Sequence, residues 1–351
     1  ANLTTLSGDV DRNDINAVGN HPSGTASPTT GINALHVVTV DQYVDRATLD
    51  GFTITGGDAY SDTGAGKHNS YSTNLTLRNI NFVDNHADQP GGGLFNDGSS
   101  PVLTNVRFIA NTASTGGGIY NTASSHPALT DVVFYDNRAN SGGAMANWAS
   151  DPLLTNVTFV QNQATNFGGA IYNNISDPIM RNVTFSANTA GSAGGGAIYN
   201  SSSSGEITNA TFYANTTTGD GGGLYMDDHS NPTMINVILW ANSPDQIYNY
   251  GVNTTPITYS LIQGGYSGDG NISVYPLLGP LGDYGGFTQT YSLTENSPAI
   301  DSGHPKFCTP STDQRGVTRP VDGDLDGITR CDMGSYEFLP LSKTYLPVIV
   351  R

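Results

Sequence analysis

Apolar positions in this chain recur at a fixed long interval, with a two-residue alternation inside each short apolar run. A phenylalanine followed three residues later by an asparagine stands at Phe82/Asn85, Phe108/Asn111, Phe134/Asn137, Phe159/Asn162, Phe185/Asn188 and Phe212/Asn215. Leu239/Asn242 is a degenerate further copy, and the steps between copies are 26, 26, 25, 26, 27 and 27 residues. A glycine-rich block follows each asparagine: GGGLFN at 91–96, GGGIYN at 116–121, GGAMAN at 142–147, GGAIYN at 168–173 and 195–200, and GGGLYM at 221–226. A Ser/Asp/Pro turn and a third run, such as PVLTNVRF (101–108) or DPLLTNVTF (151–159), complete the period.

Each period thus holds three short runs rich in β-formers, bounded by Gly, Asn, Ser and Pro, and too short for helices. In TNVTF the alternation turns Val157 and Phe159 inward and Thr158 outward; in GAIY it turns Ile171 inward and Tyr172 outward. A propeller blade needs four strands and about 40 residues, so the period is too short for one. Three strands every ~26 residues match one rung of a parallel β-helix, each strand pairing with its equivalent about 4.8 Å away. The six phenylalanines then form one apolar ladder in the core. Asn85, Asn111, Asn137, Asn162, Asn188 and Asn215 form a turn ladder, each asparagine in the left-handed region and bonded to the neighbouring rung. The glycine pairs supply tight corners with positive φ.

The pattern continues more weakly upstream in ALHVVTV (34–40) and ATLDGFTITGG (47–57), followed by a polar insertion between Gly56 and Asn74. Downstream, QIYNYG (246–251) and ITYSLIQGG (257–265) read as last, irregular rungs. Eight to nine turns are expected, a rod of roughly 40 Å. Bare strand edges at its ends invite aggregation, so caps are expected. The predicted organisation is an N-terminal cap over 1–33, a β-helix over 34–265, a C-terminal capping domain over 266–338 and a tail strand over 339–351.

Composition narrows the function. With 13 Lys+Arg against 30 Asp+Glu the formal charge is −17, which argues against nucleic acid and anionic lipid as partners. No apolar run approaches the roughly 20 residues of a membrane-spanning helix. The chain begins at Ala1 without Met or an apolar leader; the simplest reading is a mature secreted protein of the cell surface or extracellular space, and a truncated chain would look the same. Cys308 and Cys331 are the only cysteines. Joined, they close a loop worth about 3 kcal/mol; two free thiols are the alternative.

Candidate chemistry is sparse. DGDLDG places Asp322, Asp324 and Asp326 at alternate positions before Gly327, the first half of a Ca²⁺ loop, and Ca²⁺ is the one cofactor expected. Met333 stands where a full loop of that type needs Glu, and a solvated acidic turn is the alternative. Asp9, Asp11 and Asp14 form a weaker acidic cluster. Within the regular rungs the one adjacent carboxylate pair is Asp227–Asp228, beside His229; such a pair is more often an exposed turn than a catalytic site, and no catalytic residue is assigned. Tyr120, Tyr172, Tyr199 and Tyr225, with Phe95 and Tyr248, share one repeat position, with Ala146 as a gap. Outward, they suit carbohydrate or protein contact; the alternative is that they cover a neighbouring corner. In the tail, Pro340 and Pro347 flank a short apolar strand carrying Tyr345, Val348 and Ile349. It reads as a sorting or attachment signal, a last strand on its own chain, or a strand added to a neighbouring molecule.

The FxxN and GGAI tetrapeptides resemble those of the polymorphic outer-membrane-protein type of right-handed parallel β-helix. DGFTITGG, LLGPLGDYGG, SPAIDSG, TDQRGVTRP and CDMGSYEF, in that order, resemble the choice-of-anchor Q family of secreted, surface-associated bacterial proteins. The resemblance implies an all-β, right-handed parallel β-helix and no particular reaction. The expected function is a non-enzymatic structural or adhesive surface protein, with itself or a cell-surface glycan as partner, and head-to-tail assembly into an extracellular fibre. The alternative is a β-helix that binds or degrades polysaccharide.

Overall fold

A computed structural model describes residues 4–9, 33–40, 44–227, 229–251 and 254–340. The described chain is a parallel β-helix with a side module. The first sheet runs from Thr4–Ser7 through Phe52–Thr55 and Asn81–Val83, then through the eight-residue strands Val102–Ile109, Ala128–Tyr135, Leu153–Val160, Ile179–Ser186 and Glu206–Tyr213, and ends at Leu261–Ile262. The second sheet runs from Val38–Val40 to Ile247–Asn249. A narrower third sheet contains Arg138–Ser141, Gln163–Phe167, Thr189–Ala190 and Thr216–Thr217.

Like residues lie over like. Phe82, Phe108, Phe134, Phe159, Phe185 and Phe212 are in direct register, continued by Leu239 and Ile262 at one end and by Ile54 and Leu6 at the other. All six rings are fully buried, with centroids 4.8, 4.9, 4.7, 4.9 and 4.5 Å apart.

The long strands of the first sheet bend once. Asn105, Asp131, Asn156, Asn182, Asn209 and Asn236 each have a φ near +55°. That bend resets the two-residue alternation, so Leu154, Val157 and Phe159 all point into the core. At the glycine-rich corner the two glycines act differently. Gly168 has φ +60°, while a Cβ on Gly169 would lie 2.2 Å from the Gly196 carbonyl oxygen of the next rung.

Three expectations meet a different arrangement. The supposed insertion is a regular rung: Lys67–Ser70 pairs with Val38–Val40 on one side and Leu94–Asp97 on the other. Its apolar signature is hidden because Lys67 occupies the inward position. The expected N-terminal cap already contributes Thr4–Ser7 to the first sheet, with Leu6 in the core ladder; residues 10–32 lie outside the described residues. Residues 266–338 close the last rung, where Ile272 bridges Leu261, and then run back along the outer face of the first sheet. That face offers them outward threonines at Thr158, Thr184 and Thr211 and apolar side chains at Ile238 and Leu261. The tail residues Tyr345, Val348 and Ile349 lie outside the described residues.

Candidate functional site

The asparagine ladder is a closed hydrogen-bond chain. The Asn137 side-chain amide donates to Asn162 Oδ1 at 3.0 Å and to the Phe108 carbonyl at 2.9 Å, and the Asn137 backbone N–H also donates to Asn162 Oδ1. The pattern repeats from Asn85 to Asn215, and Gln246 ends it by accepting from Asn242 at 2.7 Å. The left-handed conformation falls on the residue before each asparagine: Asp84, Ala110, Asp136, Gln161, Ala187 and Ala214. Asparagine is needed here for its buried amide, which in Asn137 donates to two groups and accepts from two more, rather than for its φ.

Sequence reading missed three further ladders. Asn69, Asn96, Asn121, Asn147, Asn173 and Asn200 are chained through their side chains inside the core. Ser72, Ser99, Ser125, Ser150, Ser176, Ser203 and Ser230 are chained from backbone N–H to hydroxyl. The bend asparagines form the third, and three of them also hold the side module: Asn182, Asn209 and Asn236 donate to the carbonyls of Thr312, Thr309 and Phe307. In the second ladder Met226 replaces asparagine. Asp227 lies one position later, accepting from the Ser202 N–H and the Ser230 hydroxyl as a turn residue would; Asp228 lies outside the described residues.

The tyrosines do project from the second sheet, half-buried. Tyr199 and Tyr225 stack at 4.5 Å and 7°, Tyr225 and Tyr248 at 5.1 Å, and Phe95 and Tyr120 at 5.6 Å, while Tyr172 tilts against Tyr199. Each stacked ring spends its faces on its neighbours along the rod. Edges and hydroxyls are what such a stack presents, so a flat platform for a sugar ring exists only at its ends. Burial, followed by the proximity of Tyr225 and Asp227, holds the Tyr199 hydroxyl well above the usual phenol range.

Near the N-terminal end, Lys67 is 2% exposed and its Nζ has no hydrogen-bond partner among the described residues. Desolvation lowers it to about 7. In the same strand, the inward Asn69 heads its ladder with an unpartnered Oδ1, because Val40 is its neighbour in the preceding rung.

The side module is held by a disulfide and a buried ionic group. Cys308 and Cys331 are joined, with Cα atoms 5.8 Å apart. Arg319 pairs with Glu337 at 2.9 Å with both side chains fully buried, and Arg315 pairs with Asp313. Burial and the neighbouring Glu337 carboxylate raise Asp332 to about 8, against the opposing pull of the Phe338 and Asp301 N–H groups and of Arg319. A folded value above the unfolded one means that folding takes up a proton. That contribution is complete below pH ~4 and is lost as pH rises toward 8, at up to about 1.4 kcal/mol per pH unit. Hydrogen exchange at the Asp301 and Phe338 amides, both bonded to Asp332, should therefore show weaker protection at pH 8.5 than at pH 5.5 after correction for intrinsic rates. Asp332→Asn should remove most of that difference.

The acidic cluster differs from the one read in sequence. Asp301, Asp322 and Asp324 each bring a carboxylate oxygen within 4.8 Å of the others. Asp326 is outside this set and accepts from the Ile328 N–H. Asp301 is buried and receives the N–H groups of Gly323, Asp324 and Arg330. Burial pushes its carboxyl up, and those N–H groups oppose the push. Beside it opens a cavity of about 430 Å³ between the last rung and the module, lined by Tyr259, Ile272, Asp301, Ser302, Arg330 and Met333 among others. The only sequence signal for Asp301 was its place in SPAIDSG; nothing in the repeat marks Tyr259 or Arg330.

The fold is that of a right-handed parallel β-helix. A family model described as a right-handed beta helix region matches residues 117–268, the central and C-terminal rungs. Neither the curated proteins nor the solved structures contain a match to this chain. No helix among the described residues is long and apolar enough to cross a membrane.

Proposed function

We propose that the protein is a non-enzymatic structural or adhesive rod of the bacterial cell surface, of the kind that the choice-of-anchor Q resemblance implies. The observation that carries this reading is the continuity of the ladders. From Asn85 to Asn242 the ladder asparagine of every rung is bonded to that of the next. Such an interior resists bending and is built for architecture. The apolar tail sequence with Tyr345, Val348 and Ile349 favours self-association, since a heterologous contact repeated head to tail makes a filament. Asp301, Asp322 and Asp324 supply the hard oxygen ligands that Ca²⁺ takes, and a cation there offsets part of the −17 charge that holds rods apart.

Negative-stain microscopy and light scattering of the chain with and without Ca²⁺ test this. Filaments or long oligomers are expected, strengthened by Ca²⁺ and lost on deletion of residues 340–351. Monomers under all conditions, or assembly indifferent to the deletion, overturn the assembly reading. A second reading, a β-helix that binds glycan, is favoured by the cavity beside Asp301.

A further inference from the structure

We infer that the cavity between the last rung and the side module is a binding site for a small organic monoanion carrying one carboxylate on a compact, partly apolar body. This deepens the glycan-binding reading and does not depend on assembly. The cavity measures about 430 Å³, within the range of small-molecule sites and large enough for one sugar or a short acid.

Its walls are built from separate parts of the chain and are fixed. Tyr259 comes from the last rung, where Gly270 packs closely against its ring and His304 lies at a steep angle to it, 4.4 Å away. Arg330 and Ser302 come from the module. Gly303 N–H donates to the Cys331 carbonyl at 2.8 Å, and the Cys308–Cys331 bond ties the two module segments together. The site is therefore organised before any ligand arrives, which lowers the cost of binding.

The chemistry of the lining selects the ligand. Arg330 lines the cavity, and among the described residues its guanidinium has no ion-pair or hydrogen-bond partner. Asp301 also lines it, and three backbone N–H groups donating to its two oxygens offset part of its charge. One free planar cation fits one carboxylate, bidentate. A phosphate dianion meets a single positive group and the nearby Asp322 and Asp324 carboxylates, so it is disfavoured. Ile272 and Met333 give the remainder of the cavity an apolar lining, to which Tyr259 adds aromatic surface. A uronic acid and a short aliphatic or aromatic acid share this chemistry, and the test separates them.

Glucuronate, hexanoate, benzoate, glucose and inorganic phosphate are titrated into the full chain by calorimetry and ligand-observed NMR. At least one carboxylate is expected to bind. Glucuronate alone identifies a sugar-acid site, and hexanoate or benzoate alone a site for non-sugar acids. Arg330→Gln should weaken that binding by about tenfold or more. Cys308→Ser/Cys331→Ser should weaken it less, by loosening the walls. Unchanged thermal unfolding of Arg330→Gln shows that the variant is folded; where it is not, Ser302→Tyr, which puts a ring into the cavity lining, takes its place. Absence of carboxylate binding, phosphate binding more tightly than any carboxylate, glucose matching glucuronate, or binding indifferent to both Arg330→Gln and Ser302→Tyr overturns the inference. Neutral glycans binding elsewhere on the rod would still leave the broader glycan reading standing.

Discussion

Phe134→Ala is expected to lower stability by about 3–5 kcal/mol, the cost of emptying a fully packed aromatic site. Phe134 is fully buried and touches a ring on either side, at 4.9 Å from Phe108 and 4.7 Å from Phe159. The backbone above and below is tied by asparagine side chains, so the rung cannot collapse onto the gap. In a repeat protein each unit contacts mainly its neighbours, and a defect in the middle weakens two interfaces. Urea unfolding followed on both sides of the substitution should show the transition splitting as well as shifting. The same change at Phe82, nearer an end, should cost comparable energy but leave a single main transition. An effect below about 1 kcal/mol at Phe134 would mean that the stack contributes little beyond filling space.

Lys67→Met should act in the opposite direction and raise stability. Lys67 is in register with Val38 and Leu94, so an unbranched apolar side chain fits the place it leaves. The amine is desolvated to about 7 from a usual 10.5. Its folded value lies below its unfolded one, so folding releases a proton between those two values. Stability therefore rises with pH from about 7 to 10.5 in the native chain. The gain from methionine at or below pH 7 has an upper limit on the order of 5 kcal/mol and should shrink toward pH 10. Thermal unfolding of both proteins from pH 6 to 10 checks the size and the slope. Parallel curves would show that Lys67 is not the source of the dependence. The two ends of the molecule thus respond to pH in opposite senses, since the Asp332 group weakens the module over a lower range.

How much of this was legible in sequence follows from what repeats. The phenylalanine and asparagine ladders could be read because identical residues return at identical spacing. The left-handed position could not: Asp84, Ala110, Gln161 and Ala187 share a conformation and no chemistry. The serine ladder was hidden because serine is common in turns for unrelated reasons. Lys67 concealed an entire rung, since a cation in a core ladder breaks the pattern used to find one. The site was the least legible. Asp301 meets Asp322 and Asp324 only because the module turns back on itself, and Tyr259 meets Arg330 only because that module docks on the last rung. Neither contact has a period.

The uniform step between paired strands also sets the order in which the chain reaches its final form. Almost every rung-to-rung bond joins residues about 26 apart, giving an expected relative contact order near ~0.07, the range of helical bundles rather than of sandwiches. Once two adjacent coils exist, each new one has a finished template and a short closure to make. The bonds from Thr184 and Thr158 to Gln314 instead span 130 and 156 residues. They form only after most of the rod is in place, so the latch across its flank is the last part to close and the first to open.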